Sequence, residues 1–115
     1  MTLQRYLCAA AVIVASHAVI WALEPDIVES VFEKAPFASA HASTVVETRN
    51  GLVAAWFGGT REGANDVGIW SSRRTGGKWT PPVEVATGAQ PDGSRFPTWN
   101  PVLFQLRDGQ LALFY

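Results

Sequence analysis

The sequence predicts an all-β fold of repeated four-stranded sheets, the architecture of a β-propeller, and three observations carry the prediction. No segment after residue 24 places apolar residues at a helical period, whereas short apolar runs alternate with turn signals. Asn50-Gly51 and Asp108-Gly109 each stand between two such runs, and Asn-Gly or Asp-Gly in that setting is the strongest short-range hairpin signal. Laying Gly51 on Gly109 brings Val45, Val46, Arg49, Asn50, Val53, Ala54, Trp56 and Phe57 onto Leu103, Phe104, Arg107, Asp108, Leu111, Ala112, Phe114 and Tyr115, a repeat of period 58. Room for two more strands lies between the copies, and four strands are the unit of a propeller blade, although a period of ~40 to 50 residues is more usual.

At the N-terminus, Arg5 precedes an apolar run from Leu7 to Ile20 that exits through small residues. This is the layout of a secretory signal over residues 1–22, with cleavage after Ala18 or Ala22, or of an uncleaved membrane anchor. The run is short for a span, which needs ~20 apolar residues, and Ser16 and His17 interrupt it. Cys8, the single cysteine, lies inside it, so residues 23–115 have no disulfide framework. Arg5 and Tyr6 leave no apolar run upstream of Cys8, which argues against a lipoprotein.

Ile27 to Glu33 alternates apolar and polar residues and predicts a lone strand, of the kind that completes the last blade where a propeller ring closes. Thr44 to Thr48 and Leu52 to Phe57 form the first predicted hairpin around Arg49-Asn50-Gly51. A third strand runs from Asp66 to about Arg73, and Gly76-Gly77 turns the chain into a fourth from Lys78 to Ala86, broken at Pro81-Pro82. Val102 to Leu106 and Gln110 to Tyr115 flank Arg107-Asp108-Gly109 as the second hairpin. Gly58 to Asn65 and Thr87 to Thr98 are the long loops that stretch the period. Leu52 to Phe57 is apolar at nearly every position, as expected of a strand covered on both faces, and Trp56, Trp70 and Trp79 read first as core between blades. Because the last residues are apolar and stop inside a strand pattern, residues 23–115 are expected to be the N-terminal part of a larger propeller, about one and a half blades.

The net charge of -1, with no run of like charge, gives no electrostatic footprint for nucleic acid. No glycine motif leads from a strand into a helix, so no nucleotide cofactor is expected. His17 lies in the signal-like segment and His41 has no close Cys, His or acidic cluster around it, so no metal is expected either.

Chemistry concentrates between Trp56 and Trp79. Glycines 58, 59 and 63 give the loop after Phe57 conformational freedom, and Arg61 and Asp66 stand on or beside it at a strand end, where binding groups gather. Downstream, Ser72-Arg73-Arg74-Thr75-Gly76-Gly77-Lys78-Trp79 resembles the Asp-box of sialidases and related propellers, Ser-x-Asp-x-Gly-x-x-Trp. Ser72, Gly76 and Trp79 match, and Arg74 stands in place of the Asp. Arg61 followed five residues later by Asp66, then Val-Gly-Ile-Trp and the Asp-box, and Phe96-Pro97-Thr98-Trp99-Asn100-Pro101 before Val-Leu-Phe, are similar to the sialidase pattern as well. The resemblance spans about Ala40 to Tyr115 and implies a six-bladed propeller of sialidase type.

What the resemblance implies for function is an exported, exo-acting glycoside hydrolase that removes a terminal sugar, sialic acid or another acidic or neutral sugar, from a glycan. Asp66 would be the acid/base catalyst and Arg61 would help form the pocket, with the nucleophile and remaining arginines in later blades. Asp66 needs a raised pKa to serve as the acid, which burial under a bound sugar can supply. One departure bears on the substrate: where sialidases carry the first carboxylate-binding Arg, this chain reads Ala40-His41-Ala42-Ser43-Thr44. His41 can hydrogen-bond but lacks the bidentate guanidinium fork. His41, Arg95, Trp99 and Asn100 are the candidate sugar-binding residues. The bland alternatives are a surface ion pair between Arg61 and Asp66, worth ~0 to 1 kcal/mol, a strand-start histidine, and loop packing for Arg95 and Trp99. A non-catalytic carbohydrate-binding propeller is the rival to the enzyme. The partner in either case is a glycan, and a membrane enters only through the N-terminal segment.

Overall fold

A computed structural model describes residues 25–115 of the chain. The signal-like segment, with Cys8 and His17, lies outside the described residues. Those described form an all-β structure of nine strands in antiparallel sheets, compatible with a propeller blade and the opening hairpin of a second.

The main sheet runs β1 (Ser39–Thr48), β2 (Gly51–Gly59), β3 (Gly68–Thr75) and then an outer strand split into β4 (Lys78–Trp79) and β5 (Val83–Ala86), both paired to β3. The split falls at Pro81-Pro82, because proline cannot donate to the ladder. β2 is the centre: flanked by β1 and β3, it is buried from Val53 to Gly59, as its unbroken apolar sequence predicts. Register assigns its side chains to two faces, since Phe57 pairs with Ile69 and Trp56 with Trp70. Ala55, Phe57, Val67 and Ile69 make the buried cluster on one face, against which Leu103 and Leu113 of the second hairpin pack. Fully burying a side chain such as Ile69 or Phe57 stabilises by about 1.5 to 3 kcal/mol.

The other face carries Trp56 and Trp70, and the segment before β1 covers it through Phe32 and Phe37. That segment is not the strand that the alternation of Ile27 to Glu33 predicts. Phe32 instead lies 5.1 Å from Trp56, and Phe37 lies 5.0 Å from Trp70, ring centroid to ring centroid. Phe32 and Phe37 are spent on covering a sheet face, where aromatic rings gain contact area, rather than on pairing with an edge, while Ile27 and Val28 stay exposed. Gly58 is part of this packing, because a Cβ there would fall 3.0 Å from the Phe37 ring.

The stretch from Thr87 to Thr98, expected to be a plain loop, holds a small ribbon of β6 (Gly88–Ala89) and β7 (Arg95–Phe96). An Asp92 turn closes it: the Ser94 backbone N–H and hydroxyl donate to Asp92 Oδ1 at 2.9 and 2.6 Å. These bonds hold the exposed Asp92 carboxyl below its ordinary pKa.

The second hairpin, β8 (Val102–Gln105) and β9 (Leu111–Phe114), forms where the repeat predicts it, but not in the predicted register. Thr48 pairs with Gly51, so the first turn has two residues, Arg49 and Asn50. In the second, Leu106 N–H donates to the Gln110 carbonyl at 2.8 Å, leaving a three-residue turn of Arg107, Asp108 and Gly109. Val45 is therefore opposite Ala54, whereas its counterpart Leu103 is opposite Leu113 rather than Ala112. The period of 58 holds for β1 and β8 and slips by one residue between β2 and β9. A one-residue slip moves a strand's side chains to the other face, which is why Leu113, and not Ala112, meets the core.

Candidate functional site

Loop Thr60 to Val67 joins β2 to β3 at one end of the main sheet. Two successive turns fold it, Ala64 N–H to the Arg61 carbonyl at 3.1 Å and Val67 N–H to the Ala64 carbonyl at 3.0 Å, with Gly63 at φ 75°. Its ends are pressed together: a Cβ on Gly59 would stand 2.9 Å from Val67 Cα. The glycines thus serve the loop as the sequence predicts, one by permitting positive φ and another by permitting close approach.

Asp66 is exposed beside the loop's start, and its Oδ2 accepts from the Thr60 backbone N–H at 2.9 Å and from the Thr60 hydroxyl. The Thr60 hydroxyl is the main reason that the carboxyl lies below its ordinary pKa, with the Thr60 and Asp66 backbone N–H groups and the Arg95 charge acting in the same direction and some loss of hydration opposing them. The carboxylate lines a cavity of about 190 Å³ with Pro36, Phe37, Gly58, Thr60 and Trp70. Trp70 is held in place by its indole N–H, which donates to the Gly58 carbonyl at 3.0 Å.

Arg61 and Asp66 make no ion pair among the described residues. The cation near Asp66 is Arg95, whose Nη2 donates to the Asp66 carbonyl at 2.9 Å and to Glu84 Oε1 at 2.8 Å. Arg95 is a brace tying ribbon, loop and β5 together. Gly68 makes room for it, since a Cβ there would overlap the Glu84 carboxylate.

His41 and Trp99 lie on the opposite face of the sheet from the Asp66 cavity, on the side of Phe57. The His41 ring stacks on Phe57 at 5.8 Å with an interplanar angle of 10°, and Trp99 meets the same Phe57 edge-on at 6.2 Å. Glu62 Oε2 stands 4.0 Å from His41 Nδ1. A bulge between His41 and Thr44, with Ala42 at φ 54°, sets this placement by turning the start of β1. Thr98 anchors Trp99: it is buried, and both its N–H and hydroxyl donate to the Val67 carbonyl, at 3.2 and 3.1 Å. Asn100 is exposed and beyond this cluster.

The Asp-box-like segment is a β3–β4 turn through Gly76 and Gly77, both at positive φ. Buried Ser72 donates its hydroxyl to the Thr80 carbonyl at 2.6 Å. Arg74, which replaces the acidic residue of the motif, pairs with Glu29 of the segment that precedes β1, at 2.5 Å. The segment is thus a structural turn away from the loop.

The predicted site residues therefore divide between two places at one sheet end, Asp66 and Arg95 in one and His41 and Trp99 in the other. Thr60, Glu62, Glu84 and Thr98 complete these places and were not singled out from the sequence. For Thr60 a signal existed, a hydroxyl six residues ahead of an Asp across a glycine-rich loop; Glu84 carried none.

A family model described as a BNR repeat-like domain matches residues 50–115, more than half of the chain, and the chain belongs to that family. The match is consistent with a sialidase-type BNR and Asp-box repeat protein. No curated protein and no solved structure matches the chain.

Proposed function

We propose that the chain is the N-terminal part of an exported, sialidase-like glycoside hydrolase that acts on a terminal sugar of a glycan, with Asp66 as its acid/base group. The observation that carries this reading is the setting of Asp66: a carboxylate at a strand end, fixed through Oδ2 by Thr60 and opening onto a cavity walled by Phe37 and Trp70. Aromatic walls and one oriented carboxylate suit a sugar, whose C–H faces are apolar and whose glycosidic oxygen needs a proton. In the free chain Asp66 is ionised at neutral pH. A sugar seated in the cavity would displace water, disfavour the charged form and raise the pKa toward the range an acid needs. Arg61, next to the Thr60 anchor, is available to a ligand oxygen because Asp66 does not engage it.

The test is Asp66→Asn in the full-length enzyme, assayed on two substrates. Turnover of a glycoside with a poor leaving group falls by ~10² to 10⁴-fold, the usual contribution of general acid catalysis. An activated aryl glycoside, which departs without protonation, loses far less. Equal losses on both, with the fold intact, would remove Asp66 from the acid role.

A second reading, a non-catalytic glycan-binding propeller, is favoured by one observation: Thr60 stabilises the ionised carboxylate, which accepts hydrogen bonds from sugar hydroxyls but does not protonate a leaving group. Unchanged glycan binding and absence of hydrolysis by the full-length protein would select it.

A further inference from the structure

We propose that His41, Glu62 and Trp99 form a second subsite, on the sheet face opposite the Asp66 cavity, that binds a neutral pyranose of the glycan and rejects an acidic one. The inference rests on the glycan reading above and adds to it a place and a sugar class.

Trp99 supplies the platform. It remains 48% exposed although Thr98 beside it is buried and doubly bonded to the Val67 carbonyl, so a rigid anchor presents an open indole. Its edge-to-face contact with Phe57, at an interplanar angle of 71°, uses the two rings in a way that leaves an indole face uncovered by Phe57. Gly63 lies under the rim of the indole, with its ideal Cβ position 3.7 Å from Trp99 Cη2, so a longer side chain there would intrude on the platform.

His41 and Glu62 supply the polar part. Both side chains are more than half exposed, at 58% and 56%, and they face each other at 4.0 Å, too far to saturate each other's hydrogen-bonding capacity. The His41 ring is fixed by stacking on Phe57, the same residue that orients Trp99. One buried ring thereby sets the positions of an imidazole and an indole. A pyranose has the matching chemistry, an apolar C–H face for the indole and vicinal hydroxyls that both donate and accept.

Charge decides the class of sugar. The acidic group that faces this cluster is Glu62, which pairs with His41 and with no guanidinium among the described residues, and Arg95 is committed to Glu84 and the Asp66 carbonyl across the sheet. A sugar carboxylate placed here meets Glu62 as a like charge and gains no fork, so a neutral ring is preferred.

The experiment uses the full-length protein and paired probes: lactose, cellobiose, maltose and mannobiose, each against a sialylated or uronate-bearing counterpart, titrated by tryptophan fluorescence and calorimetry. At least one neutral disaccharide binds, and its acidic counterpart binds at least about tenfold more weakly. Trp99→Ala reduces neutral binding by about tenfold or more while Trp99→Phe keeps most of it, which separates loss of the platform from loss of fold. Glu62→Gln, which keeps the size of the side chain and removes its charge, narrows the gap between the neutral and the acidic probe. Turnover by the unsubstituted protein is measured beside these titrations: absence of hydrolysis with neutral binding and its Trp99 dependence intact counts against the hydrolase reading alone, and absence of neutral binding with hydrolysis intact counts against this subsite alone. Absence of binding by every neutral probe, preference for the acidic counterparts, or indifference to both Trp99 substitutions would overturn the proposal.

Discussion

The hairpins β1–β2 and β8–β9 share an Arg-Asn/Asp-Gly turn pattern and differ by one residue in how they close. In the first, Gly51 is already a strand residue, at φ 109° and opposite Thr48, and a Cβ on it would lie 2.0 Å from the Arg74 carbonyl oxygen of the neighbouring strand. In the second, Gly109 belongs to the turn, at φ 90°, with nothing within 4 Å of where a Cβ would be. Two glycines that align without a gap therefore have different duties: one yields space to the backbone of β3, the other only adopts a left-handed conformation. The lesson concerns faces. Because strand side chains alternate, the residue added to the second turn decides that Leu111 and Leu113, rather than Ala112 and Phe114, face the first sheet.

The largest effect comes from erasing the difference. Inserting one Gly between Asn50 and Gly51 gives the first turn three residues and sets β2 against a choice, either slipping on β1 or presenting Leu52, Ala54 and Trp56 where Val53, Ala55 and Phe57 belong. Phe57 alone is worth about 3 to 5 kcal/mol on truncation in a core, so the sheet should fail to form, seen as loss of the cooperative unfolding transition. The matched insertion between Asp108 and Gly109 should be tolerated better, because β9 has no further strand paired to it among the described residues. Equal tolerance at the two sites would contradict the account.

Next in size is the pair of single glycine substitutions. Gly51→Ala forces a methyl into the Arg74 carbonyl at positive φ and is expected to cost about 3 kcal/mol or more. Gly109→Ala meets only the left-handed penalty of about 1 to 2 kcal/mol. Denaturant midpoints of the two variants measure the gap, and closure of that gap would mean that the first turn relaxes away from β3.

The smallest effect concerns Asp66. Its pKa is depressed in the fold, so its contribution to stability is present above the ordinary carboxylate pKa of 3.8 and is lost as pH falls through the lower folded value. Thr60→Val removes the hydroxyl that is the main cause, and the Asp66 carboxyl should then titrate closer to its ordinary value, as followed by carboxyl-carbon NMR. A titration unmoved by the substitution would show that the backbone N–H groups hold the carboxylate by themselves.

Much of this fold follows from local chemistry and is legible in the residues. The apolar run of β2, the hairpin at Asn50-Gly51, the glycine turn at 76–77 and the break at Pro81-Pro82 each depend on neighbours in sequence, because turn φ values, proline's missing donor and strand burial are short-range constraints. The same holds for the loop that delivers Asp66, whose glycines announce themselves. Tertiary structure alone decided the rest, for reasons of distance. Whether Phe32 and Phe37 join a strand at an edge or cover a face depended on the rings of Trp56 and Trp70, far along the chain. The duty of Arg95 depended on Glu84 and on a carbonyl 29 residues earlier. The separation of His41 and Trp99 from Asp66 arose because strands expose alternate residues to opposite faces, and which residue faces where is settled by a register that one turn residue can reverse.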